Sequence, residues 1–494
     1  MLLGVATIAQ SVGIGTATPA TSAQLDVHST TRGLLLPRMS KAQRNAIVSP
    51  ADGLLVFQTG PDSVGFYYRF GGAWIWLQNT SGPGSGWSTT GNSGMQFGIN
   101  YLGTRDDNAL LFGVNNLHAG ALGVRRNVTY GRGSGFLMLA SAGNDNVVIG
   151  DSAMYETLGG SGNIAIGTNA LRENKSGSQS VAIGRAALQN SVDKPGLLAI
   201  GDSALHDNGK GSSTTFDASA NMAIGNGALR FNTIGRQNLA IGSFALRSNK
   251  TNSRNIAIGA SAMAFANDGS DGVVTENLAL GHSALRGSTV ASNNTGVYNV
   301  AIGNNSLLNN TSGSGNIAVG KDALMANNTG GANVAIGYQT LASNKNGSNS
   351  LAVGTNALEF DTTANETVAV GVQALRYNQA RFGNTAIGTN ALYWNTYTNT
   401  TPITSTQGLH NTALGHSALF NNRRGSGGVA VGFQALYSDT AADGNIAIGR
   451  NALYNNNGRT GSLAIGDSAL FANSQGATQA SEASSNLAIG SKAL

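Results

Sequence analysis

The residues that could carry chemistry are few, and their spacing decides which reactions are open to them. Gly315-Asn-Ile-Ala-Val-Gly320-Lys321-Asp322 has the spacing of a glycine-rich phosphate cradle, but Asp322 stands where a Ser or Thr hydroxyl would hold magnesium. The same frame recurs without the lysine in most of the chain, so it reads as a repeated structural unit. Six histidines, at 28, 118, 206, 282, 410 and 416, show no metal-ligand spacing. His282 and His416 each follow the glycine of that unit, where a solvated side chain is expected. A polysaccharide-cleaving enzyme needs carboxylates clustered on one face. Asp151, Asp202, Asp322 and Asp467 sit in or near one turn of the unit, but in non-adjacent copies, and calcium-ladder Gly-Gly-x-Gly-x-Asp runs are absent. The lack of cysteine removes disulfides, thiolate metal sites and thiol nucleophiles together. We therefore expect no catalytic, cofactor-binding or metal-binding residue, no cofactor, and no enzyme.

What positions these residues is the repeat itself. Asn316-Ile-Ala-Val-Gly320-Lys-Asp-Ala-Leu324 returns as Asn163-Ile-Ala-Ile-Gly167-Thr-Asn-Ala-Leu171, Asn384-Thr-Ala-Ile-Gly388-Thr-Asn-Ala-Leu392 and Asn445-Ile-Ala-Ile-Gly449-Arg-Asn-Ala-Leu453. Indexed by its glycine, the unit falls at 150, 167, 184, 201, 225, 242, 259, 281, 303, 320, 337, 354, 371, 388, 415, 432, 449, 466 and 490. Thirteen of the 18 intervals are 17 residues; the rest are 24, 22, 22, 27 and 24. A fixed step with occasional longer corners predicts an all-β parallel β-roll or β-solenoid of about 19 repeats, each coil stacked on the last. At one strand spacing per coil it would rise roughly 90 Å.

Within a copy, the residue two before the glycine is Ala in 18 of 19 cases, and the residue four after it is Leu or Met. The positions one and three before are nearly always Ile, Val or Leu. Alternation along a strand puts Asn and Ala on one face and the Ile/Val pair on the other. Ala suits a narrow interior where walls almost touch. The larger pair then needs a second surface, most simply the same strand of a sister subunit meeting it on a symmetry axis. The rival arrangement buries Ile/Val inside a lone solenoid and leaves Ala outside. The glycine should permit a turn closed to residues with a Cβ, and Asn repeated at one corner could stack as a hydrogen-bonded ladder.

The chain before the array differs. Met1–Ala9 is apolar with small residues at its end, like the hydrophobic and cleavage parts of a secretory signal. Residues 10–80 form a small mixed, β-rich module. In it Gln24–Val27 and Gly53–Gln58 read as strands, Ser40–Ile47 as a short helix capped by Ser40, and Gly65–Leu77 as a hairpin turning at Gly71-Gly72. Trp74, Trp76 and Trp87 could form a sugar-stacking platform, but alternating hairpin aromatics more often pack a small core or a subunit contact. Residues 81–86 are a linker, 87–143 a degenerate strand-turn adaptor, and 144–494 the array, which is expected to continue beyond the chain end because it stops on the last residue of a copy. Charged residues make up only 11% of the chain, and the net charge of +5 is spread thinly, with no run of Lys or Arg. Nucleic acid is therefore not expected as a partner, nor is membrane insertion by this segment.

The Asn-x-Ala-Ile-Gly-x-x-Ala-Leu unit resembles the head repeats of trimeric autotransporter adhesins, which form a left-handed parallel β-roll. It is still more similar to the Asn-Thr-Ala-Ile-Gly-x-x-Ala-Leu arrays of bacterial tail-fibre-like surface proteins. Val12-Gly-Ile-Gly-Thr16, Leu25-Asp-Val27, Gly33-Leu-Leu-Leu-Pro-Arg38 and Gly53-Leu-Leu-Val-Phe57 resemble the leading part of such proteins. The resemblance implies a homo-oligomeric, usually trimeric fibre, secreted or on the cell surface, in many relatives through type IX secretion. It would serve attachment to cells, surfaces or glycans, and very large relatives could build hook- or filament-like assemblies. The 17-residue step is longer than the usual autotransporter-head step, so a higher cyclic number stays open. The alternative function is a tail fibre of a phage or contractile-injection particle. Recognition is expected at the insertions 209–220, 268–274, 287–297, 396–410 and 474–484.

Overall fold

The computed structural model describes residues 11–60, 63–77, 108–123, 125–140, 143–212, 214, 217–266, 273–379, 381–395, 407–441, 443–476 and 482–494. The signal-like residues 1–9, the linker 81–86 and Trp87 lie outside them. The chain divides into two compact units, residues 1–103 and 104–494.

In the first unit, β1 (Val12–Ile14) pairs parallel with β2 (Leu25–Val27). A second sheet runs β3 (Arg38–Met39), β4 (Leu55–Gln58), β5 (Gly65–Phe70) and β6 (Ala73–Trp76), parallel at its first pair and antiparallel afterwards. Helix α1 (Lys41–Asn45) starts at Ser40, whose hydroxyl accepts from the Gln43 amide while the Gln43 side chain accepts from the Ser40 amide. Two otherwise unpaired first-turn donors are satisfied reciprocally. The β5–β6 turn falls on Gly71 and Gly72, both at positive φ (57° and 78°), as a tight primed turn requires.

The second unit opens with an antiparallel pair, β7 (Leu110–Val114) and β8 (Leu117–Leu122), followed by β9 (Val128–Tyr130). From β9 onward every pairing is parallel. Nineteen three-residue strands follow, β10 (Val147–Ile149) to β28 (Leu487–Ile489), one for each sequence copy. Register never slips: Ile317, Ala318 and Val319 of β19 face Val334, Ala335 and Ile336 of β20, and every other pair repeats this match. The ladder is a linear series of neighbours from β7 to β28. It reaches one strand further back than the sequence motif, since β9 carries Val128-Thr-Tyr-Gly131 in place of the usual residues.

The interior is built from Ala, Leu and Asn. The Ala two before each glycine and the Leu four after it are fully buried in most coils, as at Ala318 and Leu324. The Ile/Val side chains point the other way and keep part of their surface, 39% for Ile317 and 41% for Ile336. Of the two arrangements open at the sequence level, Ala is inside. Its small side chain lets opposing walls approach, and Leu fills the wider end.

The glycine is fixed by crowding as well as by φ. Gly320 sits at φ +135°, and a Cβ on it would lie 2.3 Å from the carbonyl oxygen of Gly337 in the next coil. No side chain fits there. The sequence did not reveal that the residues two and four after the glycine are also left-handed without being glycine: Asn356 has φ 57° and Leu358 φ 51°. A left-handed bulky residue costs about 1–2 kcal/mol, and here it sets the direction of the amides. The Asn356 amide donates back to Tyr338 in the preceding coil, whereas that of Leu358 donates forward to Ala374 in the following one. Turn segments are thereby cross-linked between coils as the strands are, so these amides of the corner are satisfied without water.

Two side-chain ladders complete the corners. One uses the Asn four before the glycine. The Asn316 amide and its Nδ2 both donate to Asn299 Oδ1 (3.0 and 3.1 Å), and Asn316 Oδ1 accepts the same pair from Asn333 (both 3.1 Å). The other uses the residue seven after the glycine: Asn327 Nδ2 donates to Asn310 Oδ1 and to its own coil's Gly330 carbonyl. The first ladder was expected from sequence; the second is a finding of the structure.

Candidate functional site

The phosphate-cradle spacing is dismantled by the coil. Amides that would have to face a phosphate are spent between coils: Gly320 donates to Ile302, and Asp322 to Asn304. Lys321 is exposed beside the ring of Tyr338, 5.7 Å from its centroid. His282 is exposed, and His416 is exposed with its ring stacked on Phe433 at 5.4 Å. The acids after the glycine are tied to arginines in the preceding coil: Asp151 to Arg132 (3.0 Å), Asp202 to Arg185 (2.6 Å) and Asp467 to Arg450 (2.7 Å). Hydrogen bonds from Ser203 and Arg185 hold the Asp202 carboxyl below its ordinary range. Asp322 instead accepts from Asn305 Nδ2 at 3.0 Å. Sequence reasoning placed these four acids at one turn position in non-adjacent copies, and each is engaged within its own pair of coils.

What the fold does create is surface that repeats. The most extended is the strand face. Ile, Val and Leu from β10 to β28, with Met222, Thr385 and Thr412 among them, form a stripe two side chains wide, partly exposed along its run and most open at Leu487 and Ile489. Apolar patches on that scale mark interaction surfaces.

A second surface escaped sequence reading. Five or six residues after the glycine, seven consecutive copies place aromatic rings in a file: Phe360, Tyr377, Tyr393-Trp394, Phe420, Tyr437, Tyr454 and Phe471. Successive rings stack nearly parallel, at 4.9 Å for Phe360–Tyr377, 4.3 Å for Tyr377–Trp394 and 5.0–5.1 Å from Tyr393 to Phe471. The file changes offset at the Tyr393-Trp394 pair, which hid it from a fixed-position reading. Where both faces of a ring are taken by neighbours, as at Phe420, Tyr437 and Tyr454, a sugar would find only ring edges. The hairpin aromatics are likewise engaged in packing: Tyr67 stacks on Trp76 and lies under the Arg44 guanidinium, 4.1 Å from the ring centroid.

The third surface is made by an insertion. Of the five predicted recognition loops, 287–297 is the one whose residues are all described. Its short 3-10 turn, Ala291–Asn293, rests on Asn294. Asn294 Oδ1 accepts from the Ser288 amide (2.8 Å), while its Nδ2 donates to the carbonyls of Ser288 (2.8 Å) and Phe265 in the coil before. The loop stands beside a trough of about 960 Å³ whose other side is the polar corners of the next three coils.

Residues 13–92 match the family described as "Phage tail like trimerisation region". That match covers the first unit and stops before the array; no curated protein matches the chain. The matched stretch precedes the solenoid, whose strand face carries the apolar stripe. Among the described residues no helix is long and apolar enough to cross a membrane.

Proposed function

We propose that this chain is the structural subunit of a homotrimeric, tail-fibre-like attachment fibre, and that it is not an enzyme. The apolar strand face carries the reading. A largely apolar stripe that stays partly exposed through nineteen copies is poorly suited to water, and three-fold rotation brings three such stripes together along one axis. The match of residues 13–92 to a trimerisation region supports the number three and supports a tail-fibre-like role. Rigid coils locked by two asparagine ladders suit a shaft that transmits force, and insertions at the corners suit recognition.

Two settings fit this role. In one, the fibre is exported, consistent with the signal-like residues 1–9, through type IX secretion as in the surface proteins it resembles, and attaches a bacterial cell to other cells or surfaces. In the other, it belongs to a phage or contractile-injection particle, which the trimerisation match favours. Light scattering with size-exclusion chromatography of the purified chain tests the assembly, with three chains per particle expected. A monodisperse single chain would overturn it. Labelling with an antibody against the array separates the settings, marking either the cell exterior or purified tail particles.

A further inference from the structure

We infer that the trough beside the 287–297 insertion is a binding site for an anionic oligosaccharide. The inference deepens the attachment reading by giving it a ligand class. The wall is preorganised: Asn294, almost fully buried, ties the mouth of the insertion shut and pins it to Phe265, so little ordering is needed on binding. The lining is unusual in what it contains. Asn293 and Asn309 present amides that can both donate to and accept from sugar hydroxyls; Asn328 and Asn346, whose oxygens accept from Thr311 and Thr329, offer their Nδ2 groups as donors, and no Asp or Glu lines the trough.

The charges stand at its two ends. Arg286 leads from the coil of Gly281 and Lys345 from that of Gly337, three strand spacings apart, about 14 Å along the stack. Arg286 is steadied by Phe265, 6.0 Å from the ring centroid, and its Nε is buried without a hydrogen-bond partner. Lys345 is exposed. A single inorganic anion cannot reach both cations across that span. A chain of sugar rings carrying carboxylates or sulfates at intervals can, and the trough has the volume for several rings. Single-stranded nucleic acid fits less well, because no aromatic side chain lines the trough for bases to stack on.

The test is calorimetric titration of the full chain with four probes: a short oligogalacturonate, neutral maltohexaose, inorganic phosphate and a single-stranded DNA oligonucleotide. The variants are Lys345→Gln, Arg286→Gln and the double substitution, with Arg423→Gln as an exposed cation outside the trough. Oligogalacturonate should bind the wild type and Arg423→Gln alike. Lys345→Gln should weaken it by about tenfold, and the double variant should lose it. Lys345 is exposed, so its variant reports on binding even if Arg286→Gln fails to fold. Equal binding to wild type and Lys345→Gln overturns the assignment. So does phosphate or maltohexaose binding as tightly as the acidic sugar, DNA binding more tightly than it, or no binding of oligogalacturonate at all. Chain number is measured separately, so a trimer that ignores the sugar and a monomer that binds it are distinguishable failures.

Discussion

Asn327 and Asn328 are adjacent and identical in type, yet only the first should hold the solenoid together. Asn327 is fully buried. Its Nδ2 donates to Asn310 Oδ1 at 2.8 Å and to the Gly330 carbonyl at 2.9 Å, and its Oδ1 accepts from Asn344 Nδ2 at 3.3 Å. In Asn327→Ala the Gly330 carbonyl keeps Asn316 Nδ2 (2.8 Å) and Asn344 Nδ2 keeps Gly347 (3.0 Å). Asn310 Oδ1 loses its donor while still inside the coil. One orphaned buried acceptor at about 1–3 kcal/mol, with two weakened contacts around it, gives a local loss of about 2–4 kcal/mol. Asn328 is exposed: its side chain hydrogen-bonds with Thr311, and its other inter-coil bonds run through its backbone carbonyl and its backbone amide, which donates to Lys345, and both survive substitution. Asn328→Ala should stay within about 0.5 kcal/mol of the wild type. Because stacked repeats open locally, amide exchange read by mass spectrometry is the right assay. Exchange across residues 310–344 should accelerate by about 30- to 1,000-fold in Asn327→Ala, at 1.4 kcal/mol per decade, and hardly change in Asn328→Ala. Equal protection in the two variants would mean that the buried ladder is a bystander.

Ile336→Asp puts a charge on the strand face and should leave single chains in sedimentation analysis, since an unpaired carboxylate in a dry seam costs several kcal/mol; Asn328→Asp should assemble normally. A fully assembled Ile336→Asp fibre refutes the subunit-axis assignment. Gly320→Ala forces a methyl to 2.3 Å from the Gly337 carbonyl oxygen and should cost on the order of 3 kcal/mol or more, visible as protease cutting near residue 320. Tyr437→Ala removes two ring stacks, to Phe420 and Tyr454, and should weaken that stretch by about 1–3 kcal/mol in denaturant titration; unchanged protection there would make the file ornamental. Burial pushes the Asp439 carboxyl above its unfolded value of 3.8, against hydrogen bonds from Asn456, Ala441, Gly458 and Asn445. The folded state therefore holds that proton longer. Its stabilising contribution is complete below the unfolded value and is lost as pH rises through the folded one. Asp439→Asn should gain on the wild type in melting experiments on moving from acid to neutral pH, and a constant difference across that range would contradict the assignment. Asp202, whose carboxyl is held low, should act in the opposite sense, losing stability as pH falls.

The step, the strand and the choice of interior face were legible without coordinates. A 17-residue period fixes coils of one contour, and alternation across three residues leaves only two ways to place Ala and Ile/Val. Close packing selects the arrangement with Ala inside. Ser40 and Gly71-Gly72 were legible for a similar reason, since capping and tight turns depend on residues a few positions apart. The aromatic file was not, because Tyr377 and Phe420 are related only through the dipeptide that shifts their offset, and stacking across coils is a contact between residues distant in sequence. The left-handed leucines were equally hidden. Nothing in Ala357-Leu358 announces a positive φ, which exists because the amide of Leu358 must reach Ala374 in the next coil.

By itself the sequence determined a β-solenoid of equal coils, since periodicity and side-chain volume are local properties that stacking can only repeat. Tertiary structure alone decided which corner becomes a trough and which acids meet which arginines. Those outcomes depend on where an insertion of irregular length folds against its neighbours, and on which coils happen to lie one strand spacing apart.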